Sequence, residues 1–324
     1  MEGPHLERLV DIERARGALD VARERAQSGS NMDPAVLVRA TAGALRSRGA
    51  EVSDDEIAAL VTARASGADP GPHGAAALGY AELLKLVLLH SDEIPFIESQ
   101  IKYFHSLALR HDRSAGAHLR RYRSPGGDGE ARSRAAGAPP PEGVPAAMSA
   151  LVLSARAALA DARRHPLVVS AEFLGEFLRI RPFEDGNWRI ALALADYLLL
   201  ARGYDHIRLA PFEPAIADRS VALAAALRAG DAGRDAWVGH FLDAVAASQR
   251  EALGAGAARA RPRINARQER ILAIVAERGA AKIGDILAVT GWPRATTKKD
   301  LRELADARLI VAAGVRKGTV YRVP

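Results

Sequence analysis

Apolar residues recur at helical spacing in one segment after another across residues 6–255, and this periodicity limits the fold more than any other feature of the chain. Residues 6–26, 34–48 and 54–65 each show it, and Ser53-Asp54-Asp55-Glu56 reads as an N-cap followed by first-turn acids. A Gly/Pro break over residues 67–74 precedes two apolar runs, 77–89 and 94–109, that read as buried helices. The helical pattern resumes over residues 144–165, 170–180, 186–202, 213–229 and 235–255. Residues 123–145 are different. They carry Ser124-Pro125-Gly126-Gly127-Asp128-Gly129 and then Pro139-Pro140-Pro141, which cannot be helix throughout and read as an exposed loop. The body is therefore expected to be an all-helical bundle.

Residues 254–263 are small, basic and without apolar periodicity, so the boundary of a C-terminal domain is placed there. The expected division is an N-terminal helical region over residues 1–90, a second helical domain over 91–253, a linker over 254–264 and a small domain over 265–324. Charge follows the same division. The chain is +6 overall, yet Arg263 to Pro324 hold 13 Lys and Arg against 6 Asp and Glu, a surplus of seven, so the body is close to neutral. A basic module on a neutral body points to a polyanionic partner for the tail, the plain alternative being a solvated surface.

The absence of cysteine excludes a disulfide scaffold, Cys-ligated zinc or iron–sulfur centres and a thiol nucleophile, and fits a reducing compartment. The start, Met1-Glu2-Gly3-Pro4-His5, has an acid where a secretory signal has a basic flank. No stretch reaches the roughly 18 uncharged apolar residues of a membrane span. Even the apolar run over residues 190–201 carries Asp196. A soluble cytoplasmic protein with no membrane partner is expected.

From Asn265 the pattern is helix over 266–278, Gly279, helix over 282–289, a turn at Gly291-Trp292-Pro293, helix over 294–307, then short apolar strands over 309–312 and 319–323. This order resembles the winged helix–turn–helix tails of bacterial transcription regulators. The resemblance makes the third helix the reader of DNA. Its buried face is expected at Ala295, Leu301, Leu304 and Ala305, leaving Arg294, Thr296, Thr297, Lys298, Lys299 and Arg302 for phosphates or base edges, with Arg316 and Lys317 at the hairpin tip as a second backbone contact. The competing reading is a protein-binding or dimerising winged helix.

Residues 177–192 carry the strongest chemical signal. Arg181-Pro182-Phe183-Glu184-Asp185-Gly186-Asn187-Trp188-Arg189 reads as a helix end, a Pro-containing turn and an Asp-Gly-Asn start to a new apolar helix. Such a start aims unpaired backbone N–H groups at one point, which makes an anion site, and Asp185 is placed to hold a divalent metal bound to phosphates. The ordinary reading of the same residues is a helix cap.

The segment resembles the signature of the Fic (Fido) family, His-x-Phe-x-Asp/Glu-Gly-Asn-Gly-Arg-x-x-Arg, with Phe183, Asp185, Gly186, Asn187 and Arg189 on matching positions. Ile101 to Leu107 with Ala115-Gly116 and Arg120 to Arg123, the Pro-rich run 139–145, and Ala217 to Arg219 with Asp235 to Leu242 extend the likeness over about residues 90–250. The resemblance implies a Fic-type helical bundle with a short flap around residues 122–136, protein AMP transfer from ATP with Mg²⁺, the acid at 185 on the metal, and Gly186, Asn187 and Arg189 on the nucleotide phosphates.

Three departures change that expectation. Arg181 stands where the family has its general-base His, and a guanidinium stays protonated above pH 12. Trp188 replaces the second Gly, so the indole either crowds the nucleotide or points away, and Leu192 replaces the second Arg, a phosphate clamp. Loss of a general base typically removes a factor of about 10² to 10⁴. ATP and Mg²⁺ binding is expected to be weak or lost, and the chain is expected to act as a DNA-binding regulator. The alternatives are a divergent transferase, for which Glu184 would be the substitute base, and a pure interaction protein; a protein target or partner and a homodimer stay open. His165, before Pro166, reads as a helix-end or surface residue. Ser47-Arg48-Gly49-Ala50-Glu51-Val52 is a near match to the family's inhibitory helix without its final Gly or Asn, and reads as a helix end with Gly49 as terminator.

Overall fold

The computed structural model describes residues 4–26, 33–62, 71–127, 137–260, 265–306, 309–313 and 319–322. It divides into two compact units, Met1–Gly256 and Ala257–Pro324. The first is helical: α1 (Leu6–Ala26), α2 (Pro34–Arg46), α3 (Asp54–Thr62), α4 (Gly71–His90), α5 (Glu98–Ala108), α6 (Val144–Ala160), α7 (Pro166–Ile180), α8 (Asn187–Leu200), α9 (Glu213–Ala217), α10 (Ser220–Arg228) and α11 (Arg234–Ala260).

Local chemistry sets many of these boundaries. Asp33 caps α2 by accepting the Ala35 N–H at 3.0 Å, with Pro34 in the first turn, where its missing N–H is harmless. At α3 the Ser53 hydroxyl accepts the Glu56 N–H at 3.2 Å while the Glu56 carboxylate accepts the Ser53 N–H at 2.7 Å, closing the capping box that the sequence signals. His165 caps α7, its Nδ1 accepting the Leu167 N–H at 3.3 Å. Ser47 caps the C-terminus of α2, and Gly49 follows at φ +84°.

The structure corrects several expected boundaries: α4 begins at Gly71 rather than 77, inside the expected Gly/Pro break, α7 begins at Pro166 rather than 170, and three further changes have local causes. The pattern over 144–165 stops at Ala160, where Asp161 leaves the helical region at φ −82° and ψ 107°, and His165 before Pro166 is extended in turn, at φ −72° and ψ 128°. The pattern over 213–229 breaks into α9 and α10 around Arg219, at φ −108°. Residues 254–260, expected as linker, continue α11, since Ala and Arg are strong helix formers and each glycine costs only about 1 kcal/mol. The loop over 123–145 is irregular where described, apart from a short 3₁₀ turn at Pro141–Gly143 that leads into α6.

The core gathers around α8. Of its 14 residues only Trp188 and Arg189 are not buried, and it packs against α4, α5 and α7. The α2 helix lies on α9 at such close range that a Cβ at Gly43 would stand 2.6 Å from the Pro214 nitrogen, which excludes any larger residue there. The segment Pro141–Ala160 has a mean hydropathy of 1.5 and is apolar and long enough to cross a membrane by length and composition. It carries Glu142 and Arg156, and Met148, Leu151 and Val152 build it into the core.

The second unit holds α12 (Ala266–Glu277), β1 (Ala281–Lys282), α13 (Ile283–Thr290), α14 (Arg294–Asp306), β2 (Val311–Ala313) and β3 (Val320–Arg322). Its antiparallel sheet has the order β1-β3-β2, with Ala281 opposite Tyr321 and Val311 opposite Arg322. The sequence pattern reads β2 and β3 but not β1, whose two residues are too few to show a period. Asn265 and Gln268 form a reciprocal capping box at the start of α12. Ile271, Ile274, Val275, Ile286, Leu301 and Leu304 make a core of their own.

Candidate functional site

The signature segment is the loop from α7 into α8. Arg181 ends α7 in the left-handed region at φ +48°, its N–H still bonded to the Phe177 carbonyl at 3.0 Å. Gly186, at φ +77°, opens α8 without a side-chain cap, so the first-turn N–H groups of α8 depend on the loop or on a ligand. The Asn187 side chain faces back into the loop: Oδ1 accepts the Phe183 N–H at 3.0 Å, and Nδ2 donates to the Phe183 carbonyl at 2.8 Å. Asn187 therefore shapes the turn with its amide, and its contribution to an anion is its backbone.

Beneath the loop, Phe183 stacks on His105 of α5 with ring centroids 4.1 Å apart and an interplanar angle of 7°. The His105 Nδ1 accepts the Arg120 N–H at 3.1 Å, so the proton of the neutral ring resides on Nε2. Burial lowers the His105 pKa to about 4, outweighing the nearby Asp185 charge. At neutral pH this imidazole is an uncharged platform for the loop.

Arg123 fastens the loop from outside. Only 3% exposed, it donates Nε–H to the Arg181 carbonyl at 2.9 Å and Nη2–H to the Pro139 carbonyl, while its backbone N–H meets the Pro182 carbonyl at 2.9 Å. One guanidinium thus ties both roots of the flap to the signature loop. Sequence reading places Arg123 in the family-like element but gives it no role. The available signal was a cation next to a Gly/Pro loop in an otherwise apolar core. Glu184 belongs to the same junction, its Oε1 accepting the Ser124 N–H at 3.2 Å. The flap expected around residues 122–136 falls largely on residues 128–136, outside the described residues.

The remaining signature positions diverge. Asp185 is solvent-facing, its side chain 68% exposed, with Oδ2 3.8 Å from Nη2 of Arg189. The Arg189 side chain is only 18% exposed; burial lowers its pKa, Asp185 opposes that shift, and its Nε has no partner among the described residues. Trp188 turns to the end of α2, donating Nε1–H to the Ser47 hydroxyl at 2.7 Å, with the Arg48 guanidinium 5.8 Å from its ring centre. The two outcomes open for Trp188 are thereby narrowed to a contact with the segment that nearly matches the inhibitory helix. Leu192 is 5% exposed and lies in the main core. Among the described residues no cluster of three or more His, Asp or Glu side chains is placed to hold a metal ion, so any divalent cation here would have Asp185 as its protein carboxylate and take its other ligands from phosphates and water.

In the second unit α14 carries the expected basic face with two corrections. Thr297 is 0% exposed and its hydroxyl donates to the Pro293 carbonyl at 3.2 Å, so it cannot meet a base edge. Ala295, expected inside, is exposed. The inward stripe is Thr297, Leu301 and Leu304, spaced four and three, with Asp300 beside it receiving the Arg267 Nε–H at 3.0 Å. Arg294, Lys298, Lys299 and Arg302 are exposed, Thr296 is half-buried, and Lys299 stands 3.8 Å from Glu303. Arg316 and Lys317 lie outside the described residues.

Comparison with known proteins agrees with this architecture. Residues 95–199 match the Fic/DOC family. A Fic family protein from Desulfovibrio desulfuricans G20 superposes with a TM-score of 0.63 at 20% identity, covering 100% of this chain and 97% of that one. A Fic domain containing signaling protein from Bacteroides thetaiotaomicron VPI-5482 gives 0.58 at 16% identity over 76% of this chain and 97% of that one. Fic-1 from C. elegans, residues 134–508, gives 0.55 at 18% identity over 77% of this chain and 72% of that one. No curated protein matches the chain. At such identities the structural likeness speaks for the fold, and the family match assigns the segment: residues 95–199 of this chain are a Fic/DOC family domain.

Proposed function

We propose that this chain is a Fic-fold regulator that has lost the transfer step and acts on DNA through its C-terminal basic helix. Position 181 carries the reading. Where the family pattern sets an imidazole to take the proton from an attacking hydroxyl, this chain has a guanidinium, which has no proton-accepting form at neutral pH. The substitutions around it are built into the packing, Leu192 in the core and Trp188 against Ser47, so they support a loop reshaped for a different role.

The retained groups still suit a phosphate in their donor chemistry. Asp185 offers one carboxylate, α8 offers its N-terminal N–H groups, and Arg189 offers a half-buried cation whose Nε has no partner among the described residues. Magnesium bound there would neutralise phosphate charge. The chain's own part would be to hold and orient the anion.

The test is label transfer. The full chain incubated with radiolabelled ATP and Mg²⁺ or Mn²⁺, alone and in cell extract, should transfer no label. Label that appears and is lost in Asp185→Ala would overturn the reading. The second reading, a divergent transferase with Glu184 as base, draws on the retained Asp185 and Arg189 pair and requires label that vanishes in Glu184→Gln. For the tail, the four exposed cations of α14 support DNA as partner. Binding that ignores salt would favour a protein partner instead.

A further inference from the structure

A second feature of the first unit lies apart from the signature loop. A cleft of about 270 Å³ opens between α6, α7, α10 and α11, near the lower end of the size range of small-molecule sites. Its floor is apolar and rigid: Leu151, Ala155, Val169, Phe173 and Trp237 are all at least nine-tenths buried, and the Trp237 indole is locked by donating Nε1–H to the Ala171 carbonyl at 2.7 Å. Gly175 is needed for this packing, since a Cβ there would stand 2.9 Å from Trp237 Nε1. None of residues 181–192 lines the cleft.

The rim carries charged groups of both signs. Arg164, Arg179 and Arg234 line the cleft together with Glu172 and Glu176. Arg179 and Arg234 converge on a single carboxylate oxygen, Oδ1 of Asp231, at 3.0 and 3.3 Å, which draws two guanidinium groups to one point. Arg179 also bonds Glu176 at 3.2 Å, and Arg164 bonds Glu172. These pairings engage one nitrogen of each arginine, whereas a guanidinium carries five N–H donors in a planar fork. The acids hold the arginines in place at the mouth and leave donors for an incoming anion.

We propose that this cleft binds a small organic anion, with a single ring on the Phe173 and Trp237 floor and a carboxylate or phosphate at the Arg179 and Arg234 rim. The ring supplies the apolar contact and the charged group the orientation, a division of labour typical of ligand sites. This site does not depend on the reading of the signature loop.

The indole N–H signals of the full chain, ¹⁵N-labelled, provide the test. Trp237 lies in the cleft, while Trp188 and Trp292 lie elsewhere and serve as internal references, with Trp237→Phe assigning the signal. Titration uses phenyl phosphate, benzyl alcohol as ring without charge, and inorganic phosphate as charge without ring. Phenyl phosphate should shift the Trp237 signal alone and bind at least roughly tenfold more tightly than either fragment, and Arg179→Ala should weaken it by about tenfold. Ser154→Phe, at an exposed position on the cleft wall, should abolish the shift without disturbing the fold. An unmoved Trp237 signal up to millimolar phenyl phosphate, equal binding of benzyl alcohol, or unchanged affinity in Arg179→Ala would each overturn the proposal.

Discussion

The proposed contact of the basic helix with DNA is measured most directly by the salt dependence of duplex binding. On α14, Arg294, Lys298 and Arg302 repeat every four residues and form one exposed stripe, about 12 Å long at 1.5 Å per residue, with Lys299 beside it. Each cation that neutralises a phosphate on duplex DNA contributes about −0.9 to the slope of log K against log salt. Four such contacts give α14 a share of about −3.6, a loss on the order of 10²-fold in affinity between 50 and 200 mM salt. Replacing Arg294, Lys298 and Arg302 together by Ala should reduce the slope by about 2.7, and Lys298→Ala alone by about 0.9. Contacts from elsewhere shift the total but not these differences. Thr297→Val is the internal control: it removes the bond to the Pro293 carbonyl from a fully buried site, so it should cost about 1 kcal/mol of stability and leave the slope alone. Fluorescence anisotropy with a labelled duplex across a salt series reads all of these. A triple variant with the wild-type slope, or wild-type binding that does not change with salt, would refute the assignment of α14 as the DNA face.

Three further outcomes follow from the first unit. Arg123→Met leaves the Arg181 and Pro139 carbonyls without their donor in a buried site, and should lower unfolding stability by about 3 kcal/mol in a urea titration; a change under about 1 kcal/mol would contradict the clamp. Trp188→Phe loses the bond to Ser47, so a cost of about 1 kcal/mol is expected, and a double-mutant cycle with Ser47→Ala, which also removes the Ser47 bond to the Ala44 carbonyl at 2.7 Å, should show a coupling of about 1 kcal/mol. His105 and His206 are both lowered by burial to about 4, so the unfolded chain binds protons that the folded chain refuses between that value and the ordinary 6.5. Their contribution is complete above pH 6.5 and is lost as pH falls toward 4, by up to about 3 kcal/mol for each; thermal melts that stay flat across this window would show the rings to be accessible.

Local and distant determinants divide cleanly in this chain. The capping box at Ser53 and Glu56, the turn at Gly186 and the end of α2 before Gly49 all follow from groups within a turn of one another, whereas the helix expected from residue 170 begins at Pro166. The signature and the departures at Arg181, Trp188 and Leu192 are equally legible, because they are identities at fixed spacing. What those side chains do is not. Thr297 and Ala295 exchange faces relative to expectation because the register of α14 is set by which of its stripes meets α12 and α13, a matter of packing between segments. Asn187 looks available for an anion until its amide is seen closing the loop on Phe183.

The sequence by itself determined that the chain would be helical, where most helices begin, that its tail would be basic and that an imidazole would be missing from the turn at Gly186. Only the tertiary structure decided that Trp188 reaches Ser47, 141 residues away, that Arg123 joins the flap roots to Arg181, and that Arg179 and Arg234 meet on Asp231 beside one apolar cleft. Backbone groups at helix ends are satisfied by neighbours a few residues along the chain, so their chemistry is written in order. Burial and long-range hydrogen bonds depend on which distant surfaces exclude water together, and that is settled when the chain has folded.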